Sequence, residues 1–151
     1  DQLGANNDDL ALCGGACGGD LLFAEACLER NLNVEIRIPF EVPTFLQKSV
    51  NFAGEVWQER FYKVKKNLKT TLYVMSEELG MAPRKIDAYA RNNLWQLYTA
   101  LSYTPEKVHF ICLWNKKEGD GPGGTKDMYD QISKHFGQTY ILDTNELFKN
   151  K

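Results

Sequence analysis

The sequence predicts an α/β fold, a Rossmann-like three-layer sandwich on a mainly parallel sheet of about five strands. Three observations carry that expectation. Strand-like and helix-like stretches alternate, with no internal repeat or linker between them. Strands separated by helices imply crossover connections, and hence a parallel sheet covered on both faces. The 151 residues fit a single domain, 1–151, of a size that buries roughly 70% of its unfolded surface.

Each element has its own signal. Leu10-Ala11-Leu12-Cys13 is a short apolar run ended by Gly14-Gly15, which reads as a buried strand. Asp20 reads as the cap of a helix reaching Arg30, with Leu21, Leu22, Ala24 and Leu28 on its apolar side. Val34, Ile36 and Ile38 alternate with Glu35 and Arg37, the period of a strand exposed on one face, and Pro39 stops it. Thr44 to Lys66 is helical with a break at Gly54, and Phe45, Val50, Trp57, Phe61 and Val64 form its apolar side. Thr70 to Met75 is the third strand, and Ser76 to Lys85 a polar loop. A helix from Asp87 to Ser102 places Leu94, Leu97, Tyr98 and Leu101 on one face. Val108 to Trp114 is the most continuous apolar run and so the expected central strand. A glycine loop, a helix from Thr125 to Phe136 closed by Gly137, and a strand from Thr139 to Leu142 complete the order.

Charge and composition exclude several functions. Eighteen basic against twenty acidic residues give a net charge of −2. That balance argues against direct nucleic-acid or anionic-membrane binding, which need a basic excess. No apolar run approaches the length of about 20 residues that spans a bilayer. The start, Asp1 to Asp9, is acidic and polar, unlike a secretory signal, so a cytoplasmic location is expected. Cys13, Cys17, Cys27 and Cys112 are too few for a disulfide framework and read as reduced thiols. No Cys/His pairing completes a metal site, and no cofactor is implied. His109 lies inside an apolar strand and reads as a core histidine, whereas His135 stands near a helix C-terminus, where it complements the dipole. Lys63, Lys65, Lys66 and Lys69 read as a solvated helix end.

Eight of the twelve glycines fall in two loops, Gly14, Gly15, Gly18, Gly19 and Gly119, Gly121, Gly123, Gly124. Each follows an apolar strand and leads into a helix, where backbone can approach a ligand and free N–H groups meet an anion. Two such loops in one parallel sheet point to one cleft at the carboxyl ends of the strands. Known phosphate motifs fit only in part. The order Gly124-Thr125-Lys126 is not that of a P-loop. The pattern G-x-G-x-x-G occurs as Gly119, Gly121 and Gly124, with Asp143 where a ribose-binding acid would stand, but Pro122 interrupts it.

The run from Gly14 through Gly18-Gly19-Asp20-Leu21-Leu22-Phe23-Ala24-Glu25 to Arg30 resembles a segment of the SLOG superfamily, the Rossmann-like group that includes the LOG ("Lonely Guy") proteins. The resemblance continues through Val34 to Phe40, Phe45, Ser49-Val50 and Trp57-x-x-Arg60-Phe61. It ends with Leu113-Trp114-Asn115 and Gly119-Asp120-Gly121-Pro122-Gly123-Gly124-Thr125. It is similar above all to the bacterial branch found beside TPR repeats and cyclase-type signalling modules. The resemblance implies binding of a nucleotide or nucleotide-derived ligand, and in some members cleavage of N-glycosidic bonds. Two departures stand out. The LOG enzymes read Pro-Gly-Gly-x-Gly-Thr-x-x-Glu, but here Thr125 follows Gly124 directly and Met128 takes the glutamate's place. Related domains also open with a strand and helix before the first glycine loop, which this chain is expected to lack.

These readings converge on a ligand-sensing domain for a nucleotide-derived small molecule. Its candidate site residues are Gly14, Gly15, Gly18, Gly19, Asp20, Glu25, Arg60, Asn92, Gly121, Gly123, Gly124 and Thr125. Glu25 is expected to point toward the cleft, accepting a ribose hydroxyl or acting as an acid with a raised pKa. Arg60 offers a fork for phosphate, and Asn92 an amide for a base edge or ribose. The alternatives are a nucleoside or nucleotide N-glycosidase of the LOG-like phosphoribohydrolase type, with Glu25 or Asp127 catalytic, and a ligand-free scaffold of a larger signalling protein. A homo-oligomer or fused signalling modules are the expected partners.

Overall fold

A computed structural model describes residues 3–117, 121–135 and 138–149. The chain is α/β with parallel strands, and it divides into two compact units, 1–83 and 84–151.

The first unit holds β1 (Leu10–Cys13), α1 (Gly19–Glu29), β2 (Asn33–Ile38), α2 (Val42–Ser49), a 3₁₀ turn (Asn51–Ala53), α3 (Glu55–Lys65), β3 (Thr70–Val74) and α4 (Met75–Leu79). Its sheet is parallel in the order β1-β2-β3, with Ala11 beside Val34 beside Thr70, and Cys13 beside Ile36 beside Leu72. Because side chains alternate across a strand, Ala11, Cys13, Val34, Ile36 and Ile38 share one face. That face is buried with Leu21, Ala24 and Cys27 of α1, Phe45 and Leu46 of α2, and Phe61 and Val64 of α3. Gly54, at φ 103°, separates the 3₁₀ turn from α3, as expected of the break there.

The second unit holds α5 (Ala88–Tyr103), a 3₁₀ turn (Pro105–Lys107), β4 (His109–Trp114), α6 (Thr125–Ser133), β5 (Gln138–Asp143) and α7 (Thr144–Leu147). Here β4 and β5 pair in parallel, from His109 beside Gln138 to Trp114 beside Asp143. Asp87 caps α5 by accepting from the Ala90 N–H at 2.9 Å.

Several expectations need correction. The run 108–114 is not a central strand among the described residues: β4 pairs with β5, and β2 is the strand flanked on both sides. Among the described residues, five strands thus form hydrogen-bonded sheets of three and two. The second face of β2 is not open, since Arg37 is only 8% exposed. Its guanidinium pairs with Glu35 at 2.6 Å and lies 4.9 Å from the Tyr73 ring centroid, which lets a cation leave water. The polar stretch after β3 begins with α4 rather than loop. Leu22 is exposed because Leu21, Ala24 and Cys27 already fill the inward stripe of α1. On α5 the buried residues are Asn92, Gln96 and Leu97, while Tyr98 is exposed. His109 is not a core histidine. It sits exposed at the start of β4, its ring 5.7 Å from that of Tyr140.

Residues 80–87 join the units and are exposed throughout, without a helix or strand. Exposed segments of this kind are where proteases nick first. Limited trypsin digestion should therefore cut first after Arg84 or Lys85, giving two fragments resolved by mass spectrometry. Earlier cutting within α1 or α3 would contradict the two-unit division.

Candidate functional site

The β1–α1 loop is shaped by what the core leaves for it. Gly15 has φ 72°, and a Cβ there would stand 2.6 Å from Cγ2 of Ile36. Only glycine combines that backbone conformation with so close an approach to β2. The loop is tied down by Cys17, whose N–H donates to the Ser49 carbonyl at the end of α2 at 3.0 Å. Gly18, at φ 90° and ψ −126°, is the N-cap of α1 and has no side chain to accept from the first turn.

Asp20 is not the helix cap that its position suggested. It lies within α1, and its carboxylate reaches back to accept from the Ala16 N–H at 3.1 Å and from the Gly14 N–H. Burial pushes its pKa up, opposed by those two backbone bonds. Burial and the nearby Asp20 carboxylate together raise the Cys17 thiol, so this cysteine is not an activated thiolate. Cys13, Cys17, Cys27 and Cys112 are all free thiols.

Glu25 and Arg60 come together, one on α1 and the other on α3. The guanidinium meets the carboxylate by its edge, Nε donating to Oε1 at 2.9 Å and Nη2 donating to Oε2. It also lies over the Trp57 ring, 4.6 Å from the centroid. The raised pKa expected for Glu25 is thereby reversed. The hydrogen bonds from Arg60 lower it, aided by the charges of Arg60 and Lys63 and opposed by burial. Trp57 and Arg60, three residues apart, share one helix face, a spacing the sequence displays. The Ser49 carbonyl, by contrast, has no sequence signal.

The second glycine loop lies in the other unit, where Gly119 falls outside the described residues. Its strongest constraint is Gly123, at φ 85°, where a Cβ would stand 2.5 Å from Cβ of Tyr89 and 2.8 Å from the Ala90 nitrogen. The Gly123 N–H donates to Asp127 at 3.0 Å, and its carbonyl accepts from Asn93 Nδ2 at 2.9 Å. The close backbone approach is thus to the start of α5. Asn93, the neighbour of the expected Asn92, makes this link, and Asn92 is buried on α5. Gly121 has φ 85° with open space around it, and Gly124 is an extended N-cap at φ −78°, directly before Thr125 opens α6. Asp143 pairs with Lys116 at 3.1 Å and caps α7 through the Asn145 N–H at 2.9 Å. Among the described residues, no cluster of three or more metal-ligating side chains occurs.

Compared with protein-family models, curated proteins and solved structures, the chain matches none of them.

Two outcomes follow. Gly15→Ala should destabilise the first unit by about 2–4 kcal/mol, combining positive-φ strain with overpacking, measured by urea unfolding. A cost near zero would contradict the contact with Ile36. Glu25 has a folded pKa below its unfolded value of about 4.3. Its contribution is therefore fully present above that unfolded value and lost as pH falls through the lowered folded value. Glu25→Gln should cost about 1 kcal/mol at pH 7 for this partly solvated pair, and lose its effect in strong acid. A cost that persists unchanged in acid would exclude the ion pair as its source.

Proposed function

We propose that this chain is a ligand-sensing domain that binds a nucleotide or nucleotide-derived small molecule through its glycine-rich loops. In this reading it is a Rossmann-like domain of the SLOG type, serving a larger signalling protein. The observation that carries it is the β1–α1 loop. This loop leaves the carboxyl end of a parallel strand, turns on positive-φ glycines and enters α1 behind an N-cap with no side chain. Such helix starts present N–H donors to a ligand, and in open parallel sheets ligands bind beyond the strands' carboxyl ends. Gly14, Gly15, Gly18 and Gly19 form the floor, Asp20 holds the floor's backbone in place, and Glu25 and Arg60 stand on the two helices beside it. At the second loop Gly121, Gly124 and Thr125 keep the same arrangement of glycine turn and helix entry.

Binding is favoured over hydrolysis by the state of the carboxylates. Glu25 is held ionised by Arg60, and Asp127 is committed to the Gly123 N–H. Met128 stands where the LOG motif has its glutamate.

Calorimetric titration with AMP, NAD, ADP-ribose and cyclic dinucleotides tests the reading. Gly19 is exposed and lies outside the positive-φ set, so a side chain there leaves the core alone. Gly19→Val should weaken the bound member at least about tenfold, equal to roughly 1.4 kcal/mol. The Tm should fall by no more than about 4 °C. Gly124→Ala, at an ordinary φ, makes the matching test at the second loop. Failure of every member to bind would leave the scaffold reading. Base release abolished by Glu25→Gln or Asp127→Asn would establish the N-glycosidase instead.

A further inference from the structure

Trp57, Arg60 and Glu25 form a layered group on the first unit that the loop chemistry does not use. The indole supports one face of the guanidinium, with the carbon centre 4.6 Å from the ring centroid. The carboxylate takes the guanidinium's edge through Nε and Nη2. The Arg60 side chain remains 30% exposed and that of Glu25 23%. Trp57 packs against the core and so cannot swing away freely. Phe61, the residue after Arg60, is fully buried and faces Gly15, where a Cβ would lie 3.7 Å from its ring. The platform and the glycine loop thus belong to neighbouring turns of one packed unit.

We infer that the exposed face of Arg60 is the seat on which the planar base of the ligand stacks. The inference rests on the sensor reading above and names the part of the ligand this group takes. Charge decides between base and phosphate. Glu25 holds the Nε–Nη2 edge of Arg60 and balances its charge, so a phosphate at the remaining Nη1 donors would sit beside that carboxylate and meet its repulsion. A flat heterocycle needs no donor from the edge: it covers the weakly hydrated face of the guanidinium and leaves the ion pair whole. Glu25 is a positioning residue here, holding the plane of Arg60 flat against Trp57.

The test uses adenosine, AMP and ribose 5-phosphate on the whole chain, with intrinsic tryptophan fluorescence and calorimetry as readouts. Adenosine and AMP should quench the fluorescence, and ribose 5-phosphate should not. Trp57→Phe should abolish the quench while calorimetry finds affinity changed by no more than about threefold, since the aromatic support remains. Arg60→Lys, which keeps the charge but loses the plane, should weaken adenosine at least about tenfold. AMP binding that is sensitive to Gly19→Val but indifferent to Arg60→Lys would overturn the platform and leave the loop reading standing. A quench that survives Trp57→Phe would also overturn it. No binding of any probe would overturn both readings. Should Arg60→Lys fail to fold, the contrast between adenosine and ribose 5-phosphate on the unaltered chain still decides.

Discussion

At Gly15 the chain passes so close to Ile36 that no side chain fits between them, and the first unit is arranged around that approach. Ile36 belongs to β2, the strand hydrogen-bonded on both sides, and is fully buried. A loop pressed against it cannot bulge outward, so α1 starts close over the carboxyl end of β1. Leu21 and Ala24 then fall on the sheet and Leu22 does not. The same approach brings in α3, whose Phe61 ring lies 3.7 Å from the Cβ position of Gly15 and, tilted, 5.9 Å from the Phe45 ring of α2. Once α1 and α3 are both placed, Glu25 and Arg60 meet across them.

The two glycine loops share one device and use it differently. In each, an aspartate in the following helix reaches back four residues to a backbone N–H, Asp20 to Ala16 and Asp127 to Gly123. A carboxylate near a helix start is favoured by the dipole, which offsets part of the burial cost that Asp20 carries. The difference lies in the rest of the loop. Gly123 is closed on all sides, by Tyr89, by Asn93 and by Asp127. Gly18 has nothing within contact of a built Cβ and caps α1 with backbone alone. The first loop is therefore fixed where Gly15 touches the core and open at Gly18, where it enters the helix.

Local sequence chemistry made the five strands, the longer helices and the glycine turns legible, but not the short helices α4 and α7. Alternation in Val34-Glu35-Ile36-Arg37-Ile38 located β2, and Gly54 located the break between α2 and α3. What could not be read was anything decided by a distant partner. Arg37 looks like a solvated residue until Glu35 and Tyr73 are seen to enclose it. His109 looks like a core residue until β4 proves to start in solvent. Asp20 has the composition of a cap, yet its oxygen goes to Ala16, because Gly18 already supplies the cap position. Asn93 bonds a residue 30 positions away, and no local pattern distinguishes it from Asn92.

Asp20 and Glu25 sit on one helix, five residues apart, and their surroundings push their pKa values in opposite directions. Burial raises the first, while a bidentate arginine lowers the second. A split of this kind assigns acid and base roles in many hydrolases. Here it separates two structural tasks. The raised carboxyl is the one enclosed by the Gly14 and Ala16 backbone. The lowered one is bound to a guanidinium that would have to leave before Glu25 could attack a sugar carbon or accept a proton. A hydrolytic site would need one of these carboxylates freed, or a third in reach. The charges of Asp20, Glu25 and Arg60 are therefore engaged in holding the loop and the arginine plane in place. On the proposed reading, what remains to meet a ligand is glycine backbone at the helix entry and the face of a guanidinium whose charge Glu25 already balances.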